Sequence, residues 1–369
     1  MARGLAAKGT RKARAPGDVD TDTPEAVQAP ALSVLAAAAL EYLPTTTPAV
    51  DPLTFSQIAV VGSFVCLWFV LFLLYYIMNW MVLGDVALPW SIAALQLITG
   101  STVAILLWTF KLRPTPCLTV NNVKVIAPIA VCHTLSHVCT MFGLGADLSR
   151  GYARFQLFAL PMEPLFAALF SAIFLKQAFP RLVYVTLVPA GCFIAEFFAY
   201  PSDVHWVALG GAIGFNLAAS MSAVLFTRSM GMGMDKSMSP ANLNAVVTIM
   251  TAAMFLPLSI SMEGSGFGDP WAAAFDSIDV IDYGTIVGLI VVGGVLLHFS
   301  NEVAFRWMIL GHPLTHTVAS TFKYICLMSC SMVILNDVKL NAQLGSCVTV
   351  AGVLLYTLAN KKECESLAL

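Results

Sequence analysis

The stretch Pro313–Leu335, PLTHTVASTFKYICLMSCSMVIL, contains a single charged residue, Lys323, close to its centre. About 20 apolar residues in a row are long enough to cross the hydrocarbon core of a bilayer as a helix. A lysine at the centre of such a helix costs about 2.5–3.5 kcal/mol on insertion scales, so it is rarely found there without a partner or ligand. The stretch therefore predicts a membrane helix whose buried cation meets an anionic or polar solute.

The composition of the whole chain favours the same class of protein. Hydrophobic residues make up 58% of the 369 residues, charged residues only 11%, and the mean hydropathy is +0.81, which excludes an ordinary soluble domain. The formal net charge of −2 offers no basic surface for nucleic acid. The nine cysteines form no C-x-x-C pair and show no metal-ligand spacing, so we predict no cofactor and no metal site.

Ten apolar segments of spanning length follow one another along the chain, each bounded by polar residues, Gly or Pro. They lie near 57–83, 89–110, 123–145, 153–175, 182–199, 204–227, 241–261, 281–304, 313–335 and 341–360. The second half echoes the first, since His133 and Val138 in the third segment correspond to His298 and Val303 in the eighth. Because each half has an odd number of spans, the halves must insert in opposite orientations. The predicted fold class is an all-α polytopic membrane protein with ten transmembrane helices in two inverted five-helix repeats.

The chain divides into a tail, a transporter domain and a short C-terminal tail. The ten-helix domain covers residues 56–362, with repeat one at about 57–200 and repeat two at about 204–360, and residues 363–369 follow it. Residues 1–55 begin with five basic side chains before the first acid and contain no long apolar run near Met1. Two interpretations stay open for residues 1–55, a disordered tail and an organellar targeting segment.

Charges in the loops predict the orientation. Fifteen of the nineteen Lys and Arg residues lie in the N-terminal tail, in even-numbered loops or after the tenth span. The opposite side has only Arg150, Arg154 and Lys339, and its loop at 262–282 carries five acids and no base. Because positive charge accumulates in loops that stay on the cytosolic side, both termini are predicted on the cytosol-equivalent side.

Polar side chains concentrate in three segments. Two of these carry them at positions i, i+4 and i+7, on one helix face. They are His133, His137 and Thr140 in the third segment and His316, Ser320 and Lys323 in the ninth. In the eighth segment Glu302 lies four positions after His298. We expect Lys323 and Glu302 to face one central cavity, where their charge balance controls reorientation of the empty carrier.

Structural roles remain open for several of these residues. A membrane histidine such as His133 is as often a hydrogen-bond donor between helices as a ligand, and Thr140 fits simple helix packing. Lys323 and Glu302 are also compatible with a purely structural ion pair. Glu163, directly before Pro164, is interpreted as satisfying backbone groups that the proline leaves unpaired.

Several motifs resemble the plastid triose-phosphate/phosphate translocators of the drug/metabolite transporter superfamily. The stretch IAPIAVCHTLSHV at 126–138 resembles their third-helix signature, and PLTH at 313–316, followed by Phe322 and Lys323, resembles the signatures of their ninth helix. The stretch MEPLF at 162–166 is similar to their Glu-Pro motif, and Asn216 matches an Asn of their sixth helix. The resemblance covers about 57–362 and implies ten helices, two inverted repeats, and exchange of phosphorylated metabolites for phosphate.

The resemblance implies a site that is only partly retained. His137, Thr140 and Lys323 match positions that bind the phosphorylated substrate in the family. The family's other site residues, Lys, Arg, Tyr and Arg, are replaced here by Leu160, Ser222, Ser300 and Tyr324. The candidate substrate-binding residues are Lys323, His137, Thr140, Ser300, Tyr324 and Ser222, and the candidate cavity residues for coupling are Glu302, His133 and His316.

Three functions are compatible with this pattern. The first is a secondary transporter that carries a small anionic or polar metabolite, phosphorylated or not, across a lipid bilayer. The bilayer is that of the plastid envelope or, alternatively, of a Golgi or other endomembrane. The second is a non-transporting membrane scaffold or complex subunit, suggested by the missing cations. The third, a membrane enzyme, has only His133 and His137 in its favour, so we predict that the chain is not an enzyme.

Overall fold

The computed structural model describes residues 55–146, 162–176, 206–232, 237–264 and 280–310, together with positions 316, 319, 320 and 323. The described helices are α1 (Phe55–Asp85), α2 (Pro89–Thr109), α3 (Val120–Ala146), α4 (Met162–Phe170), α5 (Trp206–Gly231), α6 (Pro240–Glu263) and α7 (Val280–Leu310). A π-helical turn at Ser171–Leu175 continues α4, and the four separate positions near the end of the described chain are also helical.

Six of these helices, all except α4, are long and apolar enough to cross a membrane. They correspond to the first, second, third, sixth, seventh and eighth predicted spans, and α4 with its π-turn corresponds to the second part of the fourth. The predicted fifth and tenth spans, most of the ninth and both tails lie outside the described residues. The described chain is therefore that of an all-helical polytopic membrane protein.

Two polar contacts fix α2 and α6 side by side in antiparallel orientation. At one end, the backbone N–H groups of Trp90 and Ser91 donate to the Glu263 carboxylate at 2.9 and 2.7 Å. These N–H groups lie in the first turn of α2, where a helix leaves its donors unsatisfied and favours negative charge. At the other end, Trp108 Nε1 donates to Asn242 Oδ1 at 3.0 Å.

The helices pack in a few close pairs. The most extensive contacts join α3 to α5 and α1 to α7, while α2 packs against both α6 and α7, α3 packs against α6, and α4 packs against α5. Glycines permit two of these approaches: a Cβ on Gly211 of α5 would lie 2.6 Å from the Cys139 carbonyl oxygen, and one on Gly294 of α7 would lie 2.8 Å from that of Gln96. Any larger side chain would push the helices apart.

The described helices turn their polar side chains inward. Gln96, Asn216, Asn244, Glu163 and Lys323 are all buried. Large apolar side chains on the outer faces are exposed, and on α1 these include Val70, Leu74 and Trp80. An apolar exterior is what a lipid surrounding requires, because lipid tails solvate such side chains while polar groups must find partners inside the protein.

Candidate solute site

Lys323 lies in a buried cluster formed with α1. Only 6% of its surface is exposed, and its Nζ atom lies 3.5 Å from the ring centroid of Phe72 and 4.1 Å from that of Trp68. Phe72 follows Trp68 by four positions, so both rings project from one face of α1. An ammonium above two aromatic faces is attracted by their negative quadrupoles.

The carboxylate partner of Lys323 is Glu163, in the first turn of α4. Glu163 is 5% exposed, interacts electrostatically with Lys323, and is hydrogen-bonded to the side chain of Ser320. Its backbone carbonyl accepts a hydrogen bond from Ser220 Oγ of α5 at 2.9 Å. Its second carboxylate oxygen, Oε2, is buried and has no hydrogen-bond partner among the described residues.

This arrangement corrects two sequence-based expectations. The pairing of Lys323 with Glu302 is replaced by pairing with Glu163. The Glu163 side chain, expected to satisfy backbone groups near Pro164, instead faces Lys323 and Ser320. The Glu-Pro motif was the available signal, but sequence alone did not show that the fourth and ninth segments bring their charges together. Trp68 and Phe72 carried no signal, because aromatic residues are ordinary in an apolar span.

Glu302 belongs to a separate charge cluster that joins α7 to the connection between α2 and α3. Its carboxylate accepts two hydrogen bonds from the Arg113 guanidinium, at 2.7 and 2.8 Å, and a third from Arg306 at 2.7 Å. His298 Nε2 lies 3.9 Å from the same carboxylate. Glu302 is therefore neutralised by arginine side chains, and no local pattern in the sequence indicates that a loop residue such as Arg113 returns to it.

His316 lies on the same helix as Lys323 and is buried. Its ring stacks on Trp68, with 4.8 Å between the centroids and 24° between the planes. Trp68 thus contacts two of the predicted site residues: its ring stacks on His316 and lies 4.1 Å from the Lys323 ammonium. The structure places His316 within the lysine cluster, as a neighbour of the cation that we predicted to bind solute.

The histidines of α3 form a third group, which faces α6. The rings of His133 and His137 lie 5.1 Å apart, His133 Nδ1 lies 3.5 Å from Thr251 Oγ1, and His137 lies edge-on to Phe255 at 6.0 Å. Thr140 Oγ1 donates to the backbone carbonyl of Ser136 at 2.9 Å, so its proton is used within the helix. Both histidines and Thr140 remain partly exposed.

The remaining predicted site residues are small or lie beyond the described chain. Ser222 of α5 and Ser300 of α7 are buried, at 6% and 2% exposure, and neither brings a charge. Tyr324 and Leu160 lie outside the described residues. No group of three or more His, Cys, Asp or Glu residues suited to a metal ion occurs in the described part of the chain.

The model of the Triose-phosphate Transporter family matches residues 59–357, which is most of the chain. The chain belongs to the triose-phosphate transporter family. This membership confirms the resemblance seen in the sequence and identifies a membrane transporter rather than an enzyme.

One relative of this chain is phosphoenolpyruvate/phosphate translocator 3, chloroplastic, from rice (Oryza sativa subsp. japonica). It is 28% identical over 82% of this chain and 75% of its own length. Glucose-6-phosphate/phosphate translocator 2, chloroplastic, from Arabidopsis thaliana is 27% identical over 82% and 75%. The triose phosphate/phosphate translocator, chloroplastic, of Solanum tuberosum is 24% identical over 82% and 70%.

One solved crystal structure superposes on 82% of this chain and 98% of its own, with a TM-score of 0.55 and 16% identity. At that identity the likeness shows the fold alone. The fold therefore agrees with the family membership but does not identify the solute.

Proposed function

We propose that this chain is a secondary transporter that moves a small anionic or polar metabolite by alternating access. The observation that carries the proposal is Lys323, a buried ammonium that faces Glu163 and the rings of Trp68 and Phe72. An ionisable group inside membrane helices is costly, so it is usually kept for a solute or ion pathway. Relatives that are named as phosphate translocators support the same conclusion.

The phosphate site of the family is partly lost in this proposal. Charge-assisted hydrogen bonds contribute about 1.5–3 kcal/mol each, and a phosphate dianion is normally bound by several cations. Here Ser222 and Ser300 are buried and uncharged, and the charge of Lys323 is balanced by Glu163. Such a site favours a solute of lower charge than a phosphate dianion.

Ten transmembrane helices in two inverted five-helix repeats remain part of the proposal, and the packing pairs support it. In two inverted five-helix repeats each helix of the second repeat corresponds to the helix five spans earlier: α5 to α1, α6 to α2, α7 to α3, and the helix of Lys323 to α4. The contact of α1 with α7 then corresponds to the contact of α5 with α3. Likewise α2 with α7 corresponds to α6 with α3, and α4 with α5 corresponds to the helix of Lys323 with α1. All of these contacts occur. Inverted repeats of this kind place the solute between the two halves.

The plastid envelope is the location we propose, because the relatives named above are chloroplastic. A Golgi or other endomembrane is the alternative. Both termini are proposed to face the cytosol-equivalent side, on the basis of the loop charges.

A scaffold without transport is the second candidate function. It is favoured by the same Lys323–Glu163 contact, because a lysine that already has a carboxylate and two rings forms a complete structural pair. In that case the cluster would hold Lys323 against α1 and α4 and would bind no solute.

Transport by the purified chain separates the two candidates. The protein is reconstituted into liposomes loaded with one unlabelled metabolite, and exchange against labelled phosphorylated, sugar and carboxylate solutes is measured. We expect saturable exchange for at least one anion, its loss in Lys323→Gln, and its retention in the matched control Lys124→Gln, whose side chain is exposed. A folded wild-type protein that exchanges none of these solutes would favour the scaffold.

A further inference from the structure

Resting on the transporter function proposed above, we propose that Glu163 is a proton-carrying site and that the chain moves a monoanion at Lys323 together with one proton. The solute class is a small carboxylate or a singly charged phosphate. The proposal follows from the placement of one carboxylate and one ammonium in the same buried cluster.

The empty site is neutral when Glu163 is ionised and Lys323 is charged. Both side chains are at least nine-tenths buried, with 5% and 6% of their surfaces exposed. A paired acid and base are far less costly to carry through the low-dielectric interior than either charge alone. The empty carrier is therefore free to reorient, and no counter-solute is needed to return it.

An arriving anion disturbs this balance. Two sides of the Lys323 ammonium are already occupied by the rings of Phe72 and Trp68. The anion and the Glu163 carboxylate therefore compete for contact with the ammonium. If both stayed charged, the buried cluster would carry a net negative charge and two like charges would lie close together, which is unfavourable in a low dielectric.

A proton on Glu163 restores neutrality. One proton from the aqueous side adds to a carboxylate oxygen as the ammonium transfers its ionic contact from Glu163 to the anion, and the reverse steps release both on the opposite side. The atom suited to this is Oε2, which is buried and lacks a hydrogen-bond partner among the described residues. Once protonated, the carboxyl donates a hydrogen bond, which an anion beside Lys323 can accept.

The neighbouring side chains do not offer a better proton site. His316 is the other titratable group of the cluster, but it stacks on Trp68 and lies close enough to Lys323 for electrostatic repulsion between them, so a second cation there is disfavoured. The other side chains around the cluster bring no charge: they are Ser320, Ser220 of α5, and Trp68 and Phe72 of α1. The acid of this cluster in the described chain is Glu163.

The test is uptake by the full chain in liposomes that contain a pH-sensitive dye. The probes are labelled glycolate, pyruvate, inorganic phosphate and phosphoenolpyruvate, each at millimolar concentration. Because the loaded site holds one more proton than the empty one, acidifying the outside should raise the apparent affinity for the anion by up to about tenfold per pH unit. We expect one proton to enter with each anion.

Glu163→Gln gives a sharp second result. Glutamine imitates the protonated carboxyl, so the anion still binds Lys323, but the empty site then carries one positive charge more than in the wild type, which hinders its return. We expect exchange of anion for anion to persist without dependence on pH, while net uptake falls at least tenfold. Asp85→Asn, an exposed carboxylate at the end of α1, is the matched control and should behave as wild type.

Two results would overturn the proposal. One is wild-type exchange with neither proton entry nor pH dependence, which leaves the transporter function in place. The other is proton-driven net uptake that survives in Glu163→Gln. If the folded wild-type protein neither takes up nor exchanges any of the four anions, this inference is wrong. If it also exchanges none of the sugars, the proposed function fails with it. Should Glu163→Gln not fold, the proton count of the wild type decides alone.

Discussion

At the scale of single residues, the Lys323 cluster depends on all of its partners together. A desolvated cation–π contact contributes about 2 kcal/mol, while a lysine at the centre of a membrane helix costs about 2.5–3.5 kcal/mol on insertion scales. The two contacts with Trp68 and Phe72 are together about as large as this cost. The buried Glu163 carboxylate has a desolvation cost of its own, which Lys323 offsets, so the two charges should stabilise the fold as a pair.

We expect the loss of either charge alone to destabilise the protein more than the loss of both charges together. Lys323→Gln leaves Glu163 ionised and buried, and Glu163→Gln removes the carboxylate that balances the charge of Lys323. Breaking a buried pair on one side costs about 3–5 kcal/mol, whereas replacing both partners is often close to neutral. The double variant should therefore unfold thermally nearer to the wild type than either single variant does.

Thermal unfolding in detergent, followed by tryptophan fluorescence, measures this difference. Lys124→Gln, with an exposed side chain, controls for loss of a positive charge in general. If the double variant loses as much free energy of unfolding as the two single variants lose together, Lys323 and Glu163 are energetically independent.

Phosphate recognition should improve when a missing cation is restored. We predict that the wild-type chain gives no robust triose-phosphate/phosphate exchange, because the sequence resemblance implies that Leu160, Ser222, Ser300 and Tyr324 replace the family's Lys, Arg, Tyr and Arg. In Tyr324→Arg, one new charge-assisted contact of about 1.5–3 kcal/mol should strengthen phosphate binding by about 10- to 100-fold. Tyr324→Gln is the uncharged control.

The measurement is the concentration of phosphate that half-saturates exchange by the purified protein. Saturable phosphate exchange by the wild type at sub-millimolar concentration would mean that the family positions are assigned to the wrong residues. Equal affinities in Tyr324→Arg and Tyr324→Gln would mean that position 324 does not face the solute.

At the scale of elements, hydropathy predicts where helices lie but not where they end. The eighth predicted span stops at residue 304, two positions before Arg306, yet α7 continues to Leu310. The charge of Arg306 is accommodated because its guanidinium donates to Glu302 one turn earlier, which Arg113 also contacts. Arg113 comes from a distant connection, and no local pattern in the sequence shows that it returns to this helix.

The candidate site follows the same rule. The helix faces that carry His133, His137 and Lys323 could be predicted from spacing, because i, i+4 and i+7 positions align on any helix. The partner of Lys323 could not, since it depends on how α4 and the helix of Lys323 pack. Glu302 lay on the neighbouring segment in the sequence, while Glu163 is 160 positions away and is the one that faces the lysine.

The contact between Arg113 and Glu302 should hold α7 to the connection between α2 and α3. Glu302 is only 6% exposed at its side chain, so removing Arg113 leaves a largely buried carboxylate with one arginine instead of two. We expect Arg113→Gln to lower the free energy of unfolding by about 3 kcal/mol. Arg113→Lys should recover little of this, because a lysine cannot make the paired contact of a guanidinium.

Thermal unfolding of both variants beside Lys124→Gln tests this expectation. An Arg113→Gln protein as stable as Lys124→Gln would mean that Arg306 alone suffices for Glu302. An Arg113→Lys protein as stable as the wild type would mean that the charge matters and the two-point geometry does not.

At the scale of the whole molecule, contacts at the helix ends separate the described connections into two groups. The backbone N–H of Cys117 donates to Ser237 Oγ at 2.9 Å, and Asn242 Nδ2 donates to the Pro114 carbonyl at 2.9 Å. The connection after α2 therefore lies beside the one before α6. Glu263, at the far end of α6, lies instead beside the start of α2.

These two groups predict opposite accessibility across the membrane. The basic connections, with Cys117 exposed among them, should share the side of the N-terminus, and the acidic loop at 262–282 should lie opposite, because basic loops are retained on the cytosolic side. In a variant whose other cysteines are replaced by serine, an impermeant thiol reagent applied to sealed vesicles should label Cys117 from the side on which an N-terminal tag is accessible. In a second variant that also lacks Cys117, Gly266→Cys should be labelled only from the other side. Labelling of Gly266→Cys and detection of the tag from the same side would reject this topology, because seven predicted spans separate the two positions.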